Sequence, residues 1–149
     1  MNQALMQTEL RRDEGVRYVR YLDSVGIPTT GVGHNLQASP LPAGWTFPLS
    51  DSQVNQLLAH DLAVTFAGLD LRLPWWRKLD EVRQRVIANM AFNMGVDKLL
   101  AFKNTLAAVQ RGAYDIAAAG MKASRWYSQV GQRAVRLRMA METGVMPSA

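Results

Sequence analysis

The sequence predicts a mainly helical α+β fold, and three observations carry that prediction. Apolar residues recur at helical spacing over two long tracts: Leu57, Leu58, Leu62, Val64, Phe66 and Leu69, then Leu79, Val82, Val86, Ile87, Met90 and Met94. Ahead of them, near residues 15 to 50, aromatic and β-branched residues alternate close to glycine and give way to a proline-rich stretch, the mark of a small β-containing lobe. Finally, 149 residues that are 48% hydrophobic suffice to fill a core, as one compact domain or as two small lobes sharing a helix.

Taken in order, residues 2 to 13 should form a first helix whose short apolar stripe is Leu5, Met6 and Leu10, interrupted at Gly15. Val16, Tyr18, Tyr21 and Ile27, set around the turn formers Asp23, Ser24 and Gly26, predict short twisted strands. Gly31 and Gly33 would close a hairpin or bend, because glycine tolerates positive φ and lets the backbone approach a ligand. Ser50-Asp51-Ser52-Gln53 is a capping box, in which Ser50 accepts from the backbone while Gln53 reaches back. The helix it opens should run from about Asp51 towards Leu71, ahead of Pro74. At roughly 1.5 Å per residue it would reach about 30 Å, enough to bridge two lobes. Beyond Pro74-Trp75-Trp76 the pattern is wholly helical. A helix capped near Asp80 stops at Gly95, and others follow over 97–110, 114–123 and 131–142. The tail from Thr143 to Ala149 is expected to be poorly ordered.

Composition narrows the chemistry. There is no cysteine, which excludes disulfides and thiolate metal sites. The N-terminus lacks a basic region followed by an unbroken apolar segment, so no secretory signal or anchor is expected. The longest stretch without Lys, Arg, Asp or Glu runs from Ser24 to Ser50, but its prolines and glycines make it loop rather than a membrane span. Seventeen Lys and Arg against twelve Asp and Glu give a net charge of +5. Lys122, Arg125, Arg133, Arg136 and Arg138 share one acid-free window, which suits either a polyanionic partner or a merely solvated helical face.

The stretch from Glu14 to His34 is the candidate for chemistry. It holds two carboxylates, Glu14 and Asp23, then Thr29 and a Gly31-Val32-Gly33-His34 corner. Paired carboxylates suit acid/base work at an ether-like bond, since one can hold a proton while the other stays ionised. Locally, either acid could equally be a surface carboxylate, and Asp23 ahead of Ser24 and Gly26 could simply form a turn. Only two histidines occur, and His60 sits on a helix without a ligand cluster, so no metal site is expected.

The same residues, at their spacings, resemble the phage-type lysozymes, the endolysin muramidases of glycoside hydrolase family 24. Asn89-Met90-Ala91-Phe92-Asn93-Met94-Gly95, Phe102-Lys103-Asn104-Thr105-Leu106 and Ser124-Arg125-Trp126-Tyr127 extend the resemblance, in the same order, over nearly the whole chain. It implies a lysozyme-like two-lobed fold, with an N-lobe at about 14–60, a connecting helix at about 51–71, and a C-lobe of 72–149 joined by the N-terminal helix 1–13. It further implies hydrolysis of the β-1,4 bond between N-acetylmuramic acid and N-acetylglucosamine, with Glu14 as general acid, Asp23 activating water and Thr29 positioning it. Inversion is implied too, for which carboxyl separations of about 6.5–9.5 Å are usual.

By the same resemblance, Gly33, His34, Asn35, Phe92, Asn93 and Thr105 belong to the sugar cleft, although Phe92 could as well fill the core. His34 should form an ion pair with Asp61, and Arg133 matches the arginine that pairs with the catalytic glutamate. Ser124 to Tyr127 would anchor a helix junction. There are departures. Gly120 stands where one relative has a sugar-contacting asparagine, Asn35 replaces an apolar neighbour of the cleft histidine, and the short Ser39 to Ser50 stretch leaves no room for a helix found in some relatives.

No cofactor is implied. The expected partner is bacterial peptidoglycan, met by a monomer that is made in the host cytoplasm and reaches the periplasm by holin-dependent release or in a virion. Its basic C-terminal helices would assist at an anionic outer-membrane surface. Three alternatives stand beside this reading. A lytic transglycosylase needs one acid only, which Asp23 and Thr29 oppose. A catalytically dead wall-binding domain is opposed by the same residues together with Glu14. A basic helical nucleic-acid module lacks any recognised binding motif, so no specific nucleic acid is expected.

Overall fold

The computed structural model describes residues 1–148, and the expectation for Ala149 lies outside the described residues. Among those residues the chain runs α1 (Gln3–Glu14), β1 (Arg17–Leu22), β2 (Pro28–Gly31), β3 (His34–Asn35), α2 (Asp51–Arg72), α3 (Glu81–Met94), α4 (Val96–Leu100), α5 (Lys103–Gln110), α6 (Tyr114–Lys122), α7 (Arg125–Val130) and α8 (Gln132–Thr143). A 3-10 turn at Trp76–Lys78 precedes α3. The fold is the mainly helical α+β one, with a single antiparallel sheet of order β1-β2-β3. No helix among the described residues is long and apolar enough to cross a membrane.

Two compact units divide the chain: Gln3–Val64, and Met1–Asn2 with Thr65–Ala149. The first contains α1, which sequence reasoning had assigned to the C-terminal helices. Its Arg11 guanidinium bonds the Asn55 side chain on the first half of α2. Met6, Leu10, Val32, Leu49, Val54, Leu57, Leu58 and Leu62 are the buried apolar residues here. The capping box forms as expected: Gln53 N donates to Ser50 Oγ at 3.1 Å, and Ser50 N donates to Gln53 Oε1 at 2.9 Å. No helix occurs between β3 and α2.

The sheet departs from simple alternation. β1 is exposed at every position but Tyr21, which is half-buried. Its register with β2 shifts between Arg17, opposite Gly31, and Tyr21, opposite Thr29. The strand is held by polar ties instead: Thr30 Oγ1 donates to Val19 O at 3.0 Å, Leu49 N to Tyr18 O at 2.7 Å, and the Tyr18 hydroxyl to Asp51 at 2.6 Å.

In the second unit α6 packs on α8 and α5, and α3 on α8 and α4. Asp80 caps α3 by accepting from Arg83 N, and Gly95 ends it at φ +85°, both as the sequence predicts. The single helix expected over 97–110 is in fact two, because the chain turns out of helical geometry at Phe102 (φ −77°, ψ 56°). A further helix, α7, was not anticipated. Ser124 starts it, accepting from Tyr127 N at 3.1 Å while donating to Met121 O at 2.7 Å.

The basic window does not form one solvated face. Arg133 is buried and bonded to Asn89, and Arg138 pairs with Glu142, whereas Lys122 and Arg125 are exposed.

Candidate active site

Glu14 is the last residue of α1, and the helix stops there because Gly15 takes φ +76° after its amide bonds Arg11 O at 3.0 Å. The half-buried Glu14 carboxyl lies against the turn between β2 and β3. A Cβ placed on Gly33 would sit 2.5 Å from Glu14 Oε2 and 3.0 Å from its Cδ. Gly33 is also at φ +62°. Both facts require glycine: the first clears space for the carboxyl, the second permits the turn.

Asp23 occupies the β1–β2 turn, where Oδ1 accepts from Val25 N at 2.9 Å and from Ile27 N at 2.8 Å. Two backbone donors fix the carboxylate and leave Oδ2 for other work. Thr29 is buried on β2, and its hydroxyl donates to Ile27 O at 2.8 Å. With its proton so committed, Thr29 Oγ1 can offer a water only its lone pairs. The peptide groups of Ile27 thus position both residues, and Asp23 N closes the turn on the same Ile27 carbonyl at 3.0 Å.

Tyr21 lies on β1 between the two acids in sequence. Its phenol is pushed above the ordinary range by burial first and then by the negative charge of Glu14, with Asp23 adding and Arg17 opposing. The Arg17 guanidinium lies 4.5 Å from the centroid of that ring. Neither Tyr21 nor Ile27 stood out in the sequence. Tyr21 read as a strand aromatic, and Ile27 acts through backbone atoms that every residue possesses. The only signal was position, two residues before Asp23 and two before Thr29.

His34 is almost wholly buried, at 1% exposure. Nδ1 is 2.7 Å from Asp61 Oδ2 and Nε2 is 2.7 Å from Ser39 O. Both partners are acceptors, so only the doubly protonated ring satisfies both. Burial pulls its pKa down, but the Asp61 hydrogen bond and charge, with the Ser39 carbonyl, leave it raised above 6.5. Neither nitrogen is left for a sugar, and His34 acts as a tie between β3 and α2. Asn35 is similarly engaged: its Oδ1 accepts from Gln37 N and Ala38 N, each at 2.9 Å, and shapes the turn after β3.

The other expected sugar-binding residues lie in the second unit. Asn93 is exposed at the end of α3, and its Oδ1 accepts from Trp126 Nε1 at 2.9 Å, leaving its amide nitrogen as a donor. Trp126 meets Phe102 edge to face, with centroids 6.2 Å apart, so this residue of the helix junction also orients Asn93. Thr105 lines an open depression of about 480 Å³ with Phe102, Asn104 and Gly120. A side chain on Gly120 would collide with Thr105 Oγ1, so the glycine makes room for the hydroxyl. Phe92 is half-buried. Arg133 donates Nε to Asn89 Oδ1 at 2.9 Å, joining α8 to α3. Among the described residues no group of three or more His, Cys, Asp or Glu could hold a metal ion.

The sequence profile described as phage lysozyme matches residues 11–141. The chain is 30% identical to the pre-baseplate central spike protein Gp5 of Enterobacteria phage T4, over 96% of this chain but only 28% of that protein. It is 27% identical to a probable T4-type lysozyme of Dictyostelium discoideum, over 92% and 93% of the two chains. It is also 32% identical to the peptidoglycan hydrolase gp36 of Pseudomonas phage phiKMV, over 85% of this chain and 14% of the other. The chain thus spans nearly all of one relative and a small part of the two phage proteins.

Proposed function

The chain belongs to the phage lysozyme family of peptidoglycan-cleaving hydrolases, and from that premise we propose that it is an N-acetylmuramidase. It cleaves the β-1,4 bond between N-acetylmuramic acid and N-acetylglucosamine, with water as acceptor. The observation that carries this reading is the Ile27 clamp, which holds Asp23 and Thr29 together at the start of β2, while the Glu14 carboxyl lies against Gly33 just beyond the end of that strand.

The chemistry follows from the atoms. Glu14, as general acid, gives a proton to the glycosidic oxygen as the bond to the anomeric carbon breaks. Water attacks that carbon from the opposite face and loses a proton to Asp23. Thr29 Oγ1, whose proton is bound to Ile27 O, accepts from the other hydrogen of the same water and aims its lone pair. Protons then return through solvent. The stereochemical result is inversion, with the carboxyls at the wider separation of about 6.5–9.5 Å. Asn93 and Thr105 supply polar contacts to N-acetyl or hydroxyl groups, and Phe92 an apolar one.

Digestion of purified peptidoglycan tests the reading. The wild type should release fragments ending in reducing muramic acid, and Glu14→Gln should be slower by about 10²–10⁴-fold, the usual range for a lost general acid. Anhydromuramic ends would instead identify a transglycosylase. Equal rates for the two proteins would overturn the role of Glu14.

A further inference from the structure

A second depression, within the unit Thr65–Ala149 and lined by none of the residues assigned above, carries chemistry of its own. Its volume is about 430 Å³, and Trp75, Lys78, Gln110, Arg111, Gly112 and Tyr114 line it. That volume accommodates a small ligand of one or two rings. Two cations, two aromatic rings and an amide converge there without an acid.

Each of these residues is available, and the structure shows why. Trp75 and Trp76 are adjacent but divide their duties. Trp76 is fully buried, its indole nitrogen donates to Asp70 at 2.7 Å and its ring tilts against Phe66, whereas Trp75 is half-exposed at the depression. Lys78 and Arg111 are exposed and have no ion-pair partner among the described residues. Asp80, the acid nearest to Lys78 in sequence, is committed to Arg83 at 3.1 Å and to the start of α3. Arg83 also lies over one face of Tyr114, 3.5 Å from the ring centroid, and adds positive charge near the depression. Gly112, at φ +81°, makes the turn between α5 and α6, and a Cβ there would meet nothing within 4 Å.

We propose that this depression binds a phosphorylated saccharide. The apolar face of a pyranose stacks on aromatic rings such as Trp75 and Tyr114. Arg111 presents the planar fork that matches a phosphate, and Lys78 supplies the second charge that a phosphate monoester dianion requires. Gln110 adds a donor and an acceptor for ring hydroxyls. Such sugars occur both on lipid anchors and in soluble or wall-linked polymers of bacterial envelopes, and the chemistry of recognition is shared. The site would hold the protein at its substrate surface without taking part in bond cleavage.

Calorimetric titration of the full chain with N-acetylglucosamine 1-phosphate, N-acetylglucosamine, glucuronic acid and inorganic phosphate tests the proposal. The phosphosugar should bind at least about tenfold more tightly than any of the other three, because it alone satisfies both rings and both cations. Arg111→Gln and Lys78→Gln should each weaken it by about tenfold, Trp75→Ala should do so without changing inorganic phosphate binding, and Glu14→Gln should leave it unchanged. Circular dichroism establishes that each variant is folded. Equal affinity for glucuronic acid would overturn the phosphate assignment, and indifference to Arg111→Gln would overturn the site. Sedimentation with vesicles bearing a lipid-linked phosphosugar, against binding to a soluble phosphosaccharide polymer, distinguishes the sources. Capture by either supports the site, and capture by neither overturns it.

Discussion

Two glycines of one turn separate conformational need from steric need. Gly31 and Gly33 share φ +62°, so alanine at either position should cost about 1–2 kcal/mol of stability for a left-handed conformation. Their surroundings differ. A Cβ on Gly31 would be 3.8 Å from Leu57 and Val54 methyls, an ordinary contact, while one on Gly33 would strike the Glu14 carboxyl. Gly33→Ala should therefore lower kcat on peptidoglycan by about 10²-fold, the scale of a misplacement of about 1 Å. Gly31→Ala should unfold as easily but retain its activity, and thermal melts beside initial rates would show the split.

The tie between His34 and Asp61 makes a pH-dependent prediction at the same scale. Because its folded pKa is raised, His34 contributes stability that is complete below about 6.5, its unfolded value, and is lost as pH climbs through the folded value. Urea midpoints for wild type and Asp61→Asn should differ most near pH 5.5 and converge towards alkaline pH. A gap that widened with pH would show that His34 is neutral in the fold. Residue roles of this kind were only partly legible. The partnership of His34 with Asp61 could be placed by motif, and it forms. Ile27 and Tyr21 could not, since a peptide group has no side-chain signature and electrostatic range depends on folding.

At the scale of elements, legibility followed the strength of local chemistry. Helix α2 was readable from Ser50 to its last turn, because the capping box states its start and Pro74 bounds its end. Ser50→Ala should lower stability by about 1 kcal/mol, measured as a shift in urea midpoint with unchanged slope. An effect within error would mean that Gln53 alone satisfies that helix start. The break between α4 and α5 was hidden because neither Pro nor Gly marks Ala101–Phe102, and the chain bends there while Leu99 and Leu106 are buried on either side. Helix α7 was hidden for a different reason. Six residues are too few to show a periodic stripe, and what fixes them is Ser124 at the cap with Trp126 held by Asn93. The exposed strand β1 escaped a burial pattern for a third reason, being held by backbone and hydroxyl bonds rather than by an apolar face.

At the scale of the molecule, net charge was legible but its distribution was not. The acid-free window from Lys122 to Arg138 suggested a basic helix face, yet helical geometry buries Arg133 and pairs Arg138, and exposed cations are spread along the chain, Arg20, Lys98 and Lys103 among them as well as Lys122 and Arg125. Dispersed charge of this kind attracts a polyanion through many weak, solvent-screened contacts, in addition to any ligand held in the depression at Lys78 and Arg111. Turnover of intact sacculi should then fall severalfold as ionic strength rises from about 0.05 to 0.3 M, a range over which the Debye length shortens to below about 8 Å. Cleavage of a short soluble glycan that contains the same bond should change by less than about twofold over the same range, because the chemistry proposed for Glu14, Asp23 and Thr29 acts on a substrate already bound. Parallel salt dependence in both assays would move the electrostatics into the catalytic step. Salt sensitivity of sacculi that vanished with Lys122→Gln and Arg125→Gln alone would restore the single basic face that the sequence suggested.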